Sequence, residues 1–151
     1  MISERCPIPD RLFEYLAPGA FAALLTVGED RYAHVAYVWA VALDPASLRF
    51  CADHGSSTLA NLERDGRAAL QIIGSGNLVF VIKGPVRKLA ERLAAAPMPA
   101  GLWELSVASF KDQSWPGVSL SPVSLVWPEA RRESMGAMER ALYAEMRSGA
   151  G

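Results

Sequence analysis

Residues 54–70, HGSSTLANLERDGRAAL, pass from a polar turn through a short apolar-periodic segment to a strand-like run. Ser56, Ser57 and Thr58 stand just before an apolar-periodic segment, where side-chain oxygens cap the free N–H groups of a helix start. Either Ser56 or Ser57 can be the cap. Thr58 to Asp65 then reads as a short helix, with Leu59 and Leu62 on its apolar side. Gly66 follows, at the position where a left-handed backbone ends helices. Ala68 to Ile73 switches at once to a strand pattern, so the segment is a polar turn, a short helix and a strand.

Upstream, Asp10 is placed to cap a helix over Arg11–Leu16, with Leu12, Tyr15 and Leu16 on one face and Pro18-Gly19 stopping it. Phe21 to Val27 reads as a strand ending in the turn Gly28-Glu29-Asp30. Tyr32 to Leu43 is a second strand. From Val35 onward both of its faces are apolar: Val35, Tyr37, Trp39 and Val41 on one, Ala36, Val38, Ala40 and Ala42 on the other. Such a strand must be covered twice. In a small barrel one face fills the interior, and the other needs a helix, a ligand or a second subunit. Asp44-Pro45-Ala46 is a turn, and Leu48 to Ala52 a third strand.

Downstream, Gly74-Ser75-Gly76-Asn77 joins the fourth strand to a fifth over Leu78–Val86, a hairpin signal. Leu89 to Ala96 is expected to be a short helix and Pro97–Gly101 a loop. Trp103–Lys111 and Val118–Trp127 alternate as strands six and seven, with Ser114-Trp115-Pro116-Gly117 turning between them. Pro128 precedes a final helix, Glu129–Arg147, striped by Met135, Met138, Leu142 and Met146. There is no internal repeat or low-complexity linker. The expectation is a single domain over 1–151: a mainly β (α+β) antiparallel split barrel of six or seven strands with flanking helices.

The bulk numbers restrict the function classes. At 151 residues, with 51% hydrophobic and 21% charged residues, one globular domain is expected rather than a disordered chain. A net charge of −1 gives no basic surplus for nucleic acid. No apolar run approaches the ~20 residues of a membrane span. Met1–Arg5 lacks a basic-then-apolar signal pattern, so the cytoplasm is the simplest location. Cys6 and Cys51 do not make a disulfide framework, and Cys6-Pro7 is read as structural rather than as a haem thiolate. His34 and His54 have no carboxylate pair at ligand spacing, so no metal site is expected. The turn at Gly74-Ser75-Gly76 lacks the third glycine and the helix of a dinucleotide fingerprint.

Taken together, the segments from Ala22 to Leu89 resemble the pyridoxamine 5′-phosphate oxidase-like FMN-binding split barrels. His54 to Leu70 carries most of the likeness. The resemblance implies a homodimer, FMN at the subunit interface and flavin-dependent oxidoreductase activity on an unknown small molecule. It implies cofactor contacts from Tyr37, Val38 and Trp39 beside the flavin ring, and from His54, Ser56, Ser57, Thr58 and Asn61 around the phosphate. Trp103, Trp115 and Trp127 are further aromatics able to stack on a partner's flavin.

One departure stands out. The full oxidases follow the turn serine with a basic pair, and this chain has Ser57 and Thr58 there. They also carry an Arg and a Lys at the positions of Ala36 and Val41. Arg49, Arg64, Arg67, Lys83, Arg87 and Lys88 are the nearby replacements. The missing charges argue against true pyridoxamine phosphate oxidase activity, because that substrate brings a second phosphate. They keep open a deazaflavin, a non-enzymatic flavin- or haem-binding module, and a structural dimer with a degenerate pocket.

Overall fold

The structure is a computed structural model and describes residues 6–149; Met1–Arg5 lies outside them. Three helices and seven strands follow in the order α1 (Asp10–Leu16), β1 (Ala20–Val27), β2 (Ala33–Asp44), β3 (Ser47–Asp53), α2 (Ser57–Asp65), β4 (Arg67–Gly74), β5 (Leu78–Ala90), β6 (Ala100–Ser106), β7 (Ser109–Asp112) and α3 (Glu129–Ser148). All strand pairings are antiparallel. The order β4-β1-β2-β3-β6-β5 closes on itself through β4–β5, and β7 adds to β5 outside the ring. This is the split barrel expected from the hairpin pattern.

The interior is filled from alternate positions of each strand. Leu24, Ala40, Phe50, Leu70, Ile72, Phe80, Ile82 and Leu105 are almost wholly buried there, and α1 adds Leu12 and Leu16. A second core lies outside the barrel wall. There Trp39, Val41, Cys51 and Leu102 are covered by Leu142 and Met146 of α3. Both faces of β2 are therefore covered at its C-terminal half, the outer one by a helix. At its N-terminal half the outer face is bare: Val35 is 52% and Tyr37 58% exposed.

Four local expectations are corrected. Asp10 is the first residue of α1, not its cap; Pro9 precedes the helix with no side-chain hydrogen bond. The segment expected as a helix over Leu89–Ala96 begins as strand. β5 runs on to Ala90 because β6 pairs with it from Val86↔Leu105 to Ala90↔Leu102, and those ladder bonds override local helix preference. Trp103–Lys111 is two strands rather than one. β6 pairs with the far half of β5 and β7 with its near half, so the chain steps outward between them. Val118–Trp127 joins no ladder. Residues 113–128 run as an irregular strap; within 118–127 the backbone reaches a strand only through the Val123 N–H, which donates to the Ile73 carbonyl.

Candidate functional site

The site is built where β2, the end of β3 and the start of α2 meet. Ser56 is the helix cap: its Oγ accepts the Leu59 N–H at 3.1 Å, and its hydroxyl donates to the Asp53 carbonyl at 2.7 Å. Gly66 closes α2 in the left-handed region, φ 64°. α2 is unusual in burying Thr58 and Asn61 beside Leu62. Thr58 Oγ1 lies 3.2 Å from His34 Nε2. The Asn61 amide donates to Thr26 Oγ1 at 3.0 Å, and its carbonyl oxygen accepts from Arg64 at 3.2 Å. Arg64 also donates to the Val27 carbonyl and pairs with Asp65.

A cavity of about 300 Å³ opens against this corner. Tyr37, Val38 and Trp39 form one wall, Cys51 to Asp53 another, and Ser56 and Thr58 the polar end. Phe21, Met98, Leu125 and Trp127 also line it. Phe21 stacks on Tyr37, with ring centroids 5.4 Å apart and planes 12° from parallel. The wall is thus flat, aromatic and apolar. Burial, with Asp53 nearby, pushes the Cys51 thiol up from 9.0 to about 12, so it is a neutral wall group and not a nucleophile. The indole N–H groups of Trp39 and Trp127 donate to the two oxygens of Glu139 on α3, at 2.8 and 3.0 Å.

The eight residues expected at the site divide among three pockets. Tyr37, Val38, Trp39, Ser56 and Thr58 share the cavity just described. Ser57 and Asn61 line a neighbouring polar pocket of about 580 Å³ with His34 and Arg64, rimmed by Glu29 and Asp30. His54 stands apart. It lines a pocket of about 200 Å³ with Lys88 and Trp103, and its Nε2 is 2.6 Å from the Glu91 carbonyl. Phe21, Cys51, Met98, Leu125 and Glu139 were not legible as site residues, since they arrive from five separate segments. The register Phe21↔Trp39 across β1 and β2 is the kind of signal that would have found the first of them.

The replacement cations are mostly committed elsewhere. Arg49 and Arg87 converge on the buried Glu104, each at 3.0 Å. Lys88 pairs with Glu63 and Glu91, whose hydrogen bonds raise its pKa. Arg67 and Lys83 line a different feature, an open apolar groove of about 760 Å³ on the outer wall beside Leu25, Val27 and Ala69. Of the six, Arg64 lines the pocket shared by Ser57 and Asn61, and Lys88 lines the one beside His54. Among the described residues no cluster of three His, Cys, Asp or Glu side chains could hold a metal ion, and no helix is long and apolar enough to cross a membrane.

Comparison with known proteins agrees with this architecture. An F420 reductase matches at 18% identity and TM-score 0.59, covering 70% of this chain and 100% of its own. HupZ of Group A Streptococcus matches at 13% identity and TM-score 0.54, covering 68% of this chain and 90% of its own. HutZ, a haem storage protein from Vibrio cholerae, matches at 11% identity and TM-score 0.52, with the same coverage of 68% and 90%. At such identities the likeness is one of fold. No curated protein matches the sequence. The family model for pyridoxamine 5′-phosphate oxidase matches residues 8–130, most of the chain, and this protein belongs to that family.

Proposed function

We propose that this chain binds FMN as a homodimer and serves as a flavin-dependent oxidoreductase for a small molecule. The observation that carries the reading is the flat apolar cavity closed at one end by the start of α2. Its aromatic wall suits an isoalloxazine ring, and the strand backbone at Tyr37–Trp39 suits the ring's polar edge. Beside the polar end, in the neighbouring pocket that Ser57 lines, the Ser57 hydroxyl and the Ser57 and Thr58 amides suit a phosphate, since N–H groups at a helix start favour anions. His34, whose Nε2 is 3.2 Å from Thr58 Oγ1, and Arg64 line the same pocket. When bound, the flavin supplies the electron transfer, and the protein orients it and excludes water. The bare outer face of β2, with Val27, Val35 and the groove beside them, fits the second subunit.

Comparing FMN with riboflavin by calorimetry tests the phosphate half of this reading. FMN should bind at least about tenfold tighter, as expected for charge-assisted hydrogen bonds. Equal affinities would remove the phosphate from the α2 turn, and no binding of either would remove the flavin. The variant Ser57→Arg restores one missing charge at an exposed position and should tighten FMN without changing riboflavin.

A second reading, a flavin-binding module without turnover, is favoured by one observation. Among the described residues, the only ionisable side chains lining the ring cavity besides the tyrosine are Asp53 and the neutral Cys51. It predicts bound FMN that NADH or NADPH does not reduce. Haem fits the cavity less well, because no histidine lines it and the Cys51 thiol resists deprotonation.

A further inference from the structure

We propose that Glu139 is the latch of a strap, residues 123–127, that roofs the ring cavity and gates its occupant. The inference rests on reading that cavity as the ligand site. Three observations on different elements carry it.

The first is that the roof is made by the strap. Leu125 and Trp127 both line the cavity, although the strap belongs to neither the barrel nor α3. A volume of about 300 Å³ is at the lower end for a ligand cavity. The roof therefore lies close over any ring that occupies the cavity.

The second is that the strap is held at few points. Residues 113–128 form no helix or strand. Around the cavity, the Val123 N–H donates to the Ile73 carbonyl at 3.2 Å, and the Trp127 indole donates to Glu139. Arg131 lies over the Trp127 ring at 5.8 Å. Between these points Leu125 and Val126 are 40% and 84% exposed, so apolar anchoring of the strap falls mainly on the half-buried Trp127, which packs against the outer core.

The third is the shape of the latch. One carboxylate takes both indoles, Trp39 from the fixed barrel wall and Trp127 from the roof. Each Glu139 oxygen has its own donor, so releasing Trp127 leaves Trp39 held and the wall intact. The family match ends at residue 130, and Glu139 lies beyond it on α3. The latch therefore comes from a part of this chain that the family match does not include. Glu139 is a positioning residue, acting through Trp127.

The test uses the full chain, Glu139→Ala and Trp127→Phe, the second keeping a ring while losing the N–H. Stopped-flow mixing measures association of FMN and, separately, of the flat apolar anion 1-anilinonaphthalene-8-sulfonate. Chymotryptic cleavage mapped by mass spectrometry reports strap opening. A hydrogen bond to a charged group is worth about tenfold in an equilibrium, so both association rates should rise about tenfold in each variant. Equilibrium affinity should change less, because the occupant also leaves faster. Glu139→Gln, which keeps one acceptor oxygen, should fall between.

Faster cleavage with association rates within about twofold of the parent would show a strap that moves without gating, and would overturn the proposal. Unchanged cleavage would overturn the latch. Faster uptake of the sulfonate with no FMN binding by any form would leave the gate standing and sink the flavin reading instead. If Glu139→Ala does not fold, Trp127→Phe decides by the same rates.

Discussion

Glu104 shows how much one side chain can hold. It is 5% exposed and accepts from Arg49 on β3 and Arg87 on β5, its direct neighbours across the sheet. Arg49 also donates to the Met146 and Arg147 carbonyls at the end of α3, so the same guanidinium ties sheet to helix. Removing one partner of a buried pair leaves a charge uncompensated, and Glu104→Ala should lower stability by about 3 kcal/mol in urea unfolding. Arg87 is 70% exposed, and Arg87→Ala should cost less than about 1 kcal/mol. Asn61 is a second such residue, linking Thr26 to Arg64 under α2. Cys51 gives a pH signature. Its thiol titrates at about 12 in the fold against an ordinary 9.0, so only the unfolded chain loses this proton between those values. Stability should fall as pH rises above about 9, by at most about 1.4 kcal/mol per unit, and the fall should be shallower in Cys51→Ala. Guanidinium titrations across that range check both sign and slope.

At the scale of elements, β5 is the member that shapes the barrel. Its near half pairs with β7 and its far half with β6, and Gly84 sits where the two meet. A Cβ there would stand 1.8 Å from the Ser106 carbonyl oxygen, backbone that cannot step aside. Gly84→Ala should therefore cost about 3 kcal/mol or more, with loss of folded yield at growth temperature as the readout. The crossover also explains why local patterns misled beyond residue 88. The run KLAERLAAA, residues 88–96, suits a helix by propensity, but β6 pairs with Lys88 and Ala90 across a register shift at Leu89. The strap has the opposite fate: its alternation is strand-like, yet within 118–127 only the Val123 N–H reaches a strand, at the Ile73 carbonyl.

For the whole molecule, the bare outer wall is the largest unanswered surface. Val27, Val35 and Tyr37 are each about half exposed on adjoining strands, beside the groove that runs to Arg67 and Lys83. If this wall meets a second copy, sedimentation should give a mass twice that of the 16.3 kDa chain. Val35→Glu should then return the monomer mass while leaving the circular dichroism spectrum unchanged. A monomeric parent would remove the homodimer from the proposed function and leave the groove to another occupant.

The barrel, the three helices at their core positions and the polar turn at Ser56–Thr58 were legible along the chain. These follow from alternation, capping and glycine placement, which act over a few residues and can be read along the chain. The sequence also showed that β2 needed two covers, because both faces of Val38–Ala42 are apolar. Tertiary structure alone decided which cover each half received: α3 over Trp39 and Val41, and open surface at Val35 and Tyr37. It alone divided Ser56, Ser57 and His54 among three pockets, since neighbours in a turn point in different directions. It alone brought Glu139 to Trp39, a hundred residues earlier in the chain, because that pairing depends on how α3 lies across the sheet rather than on any local pattern.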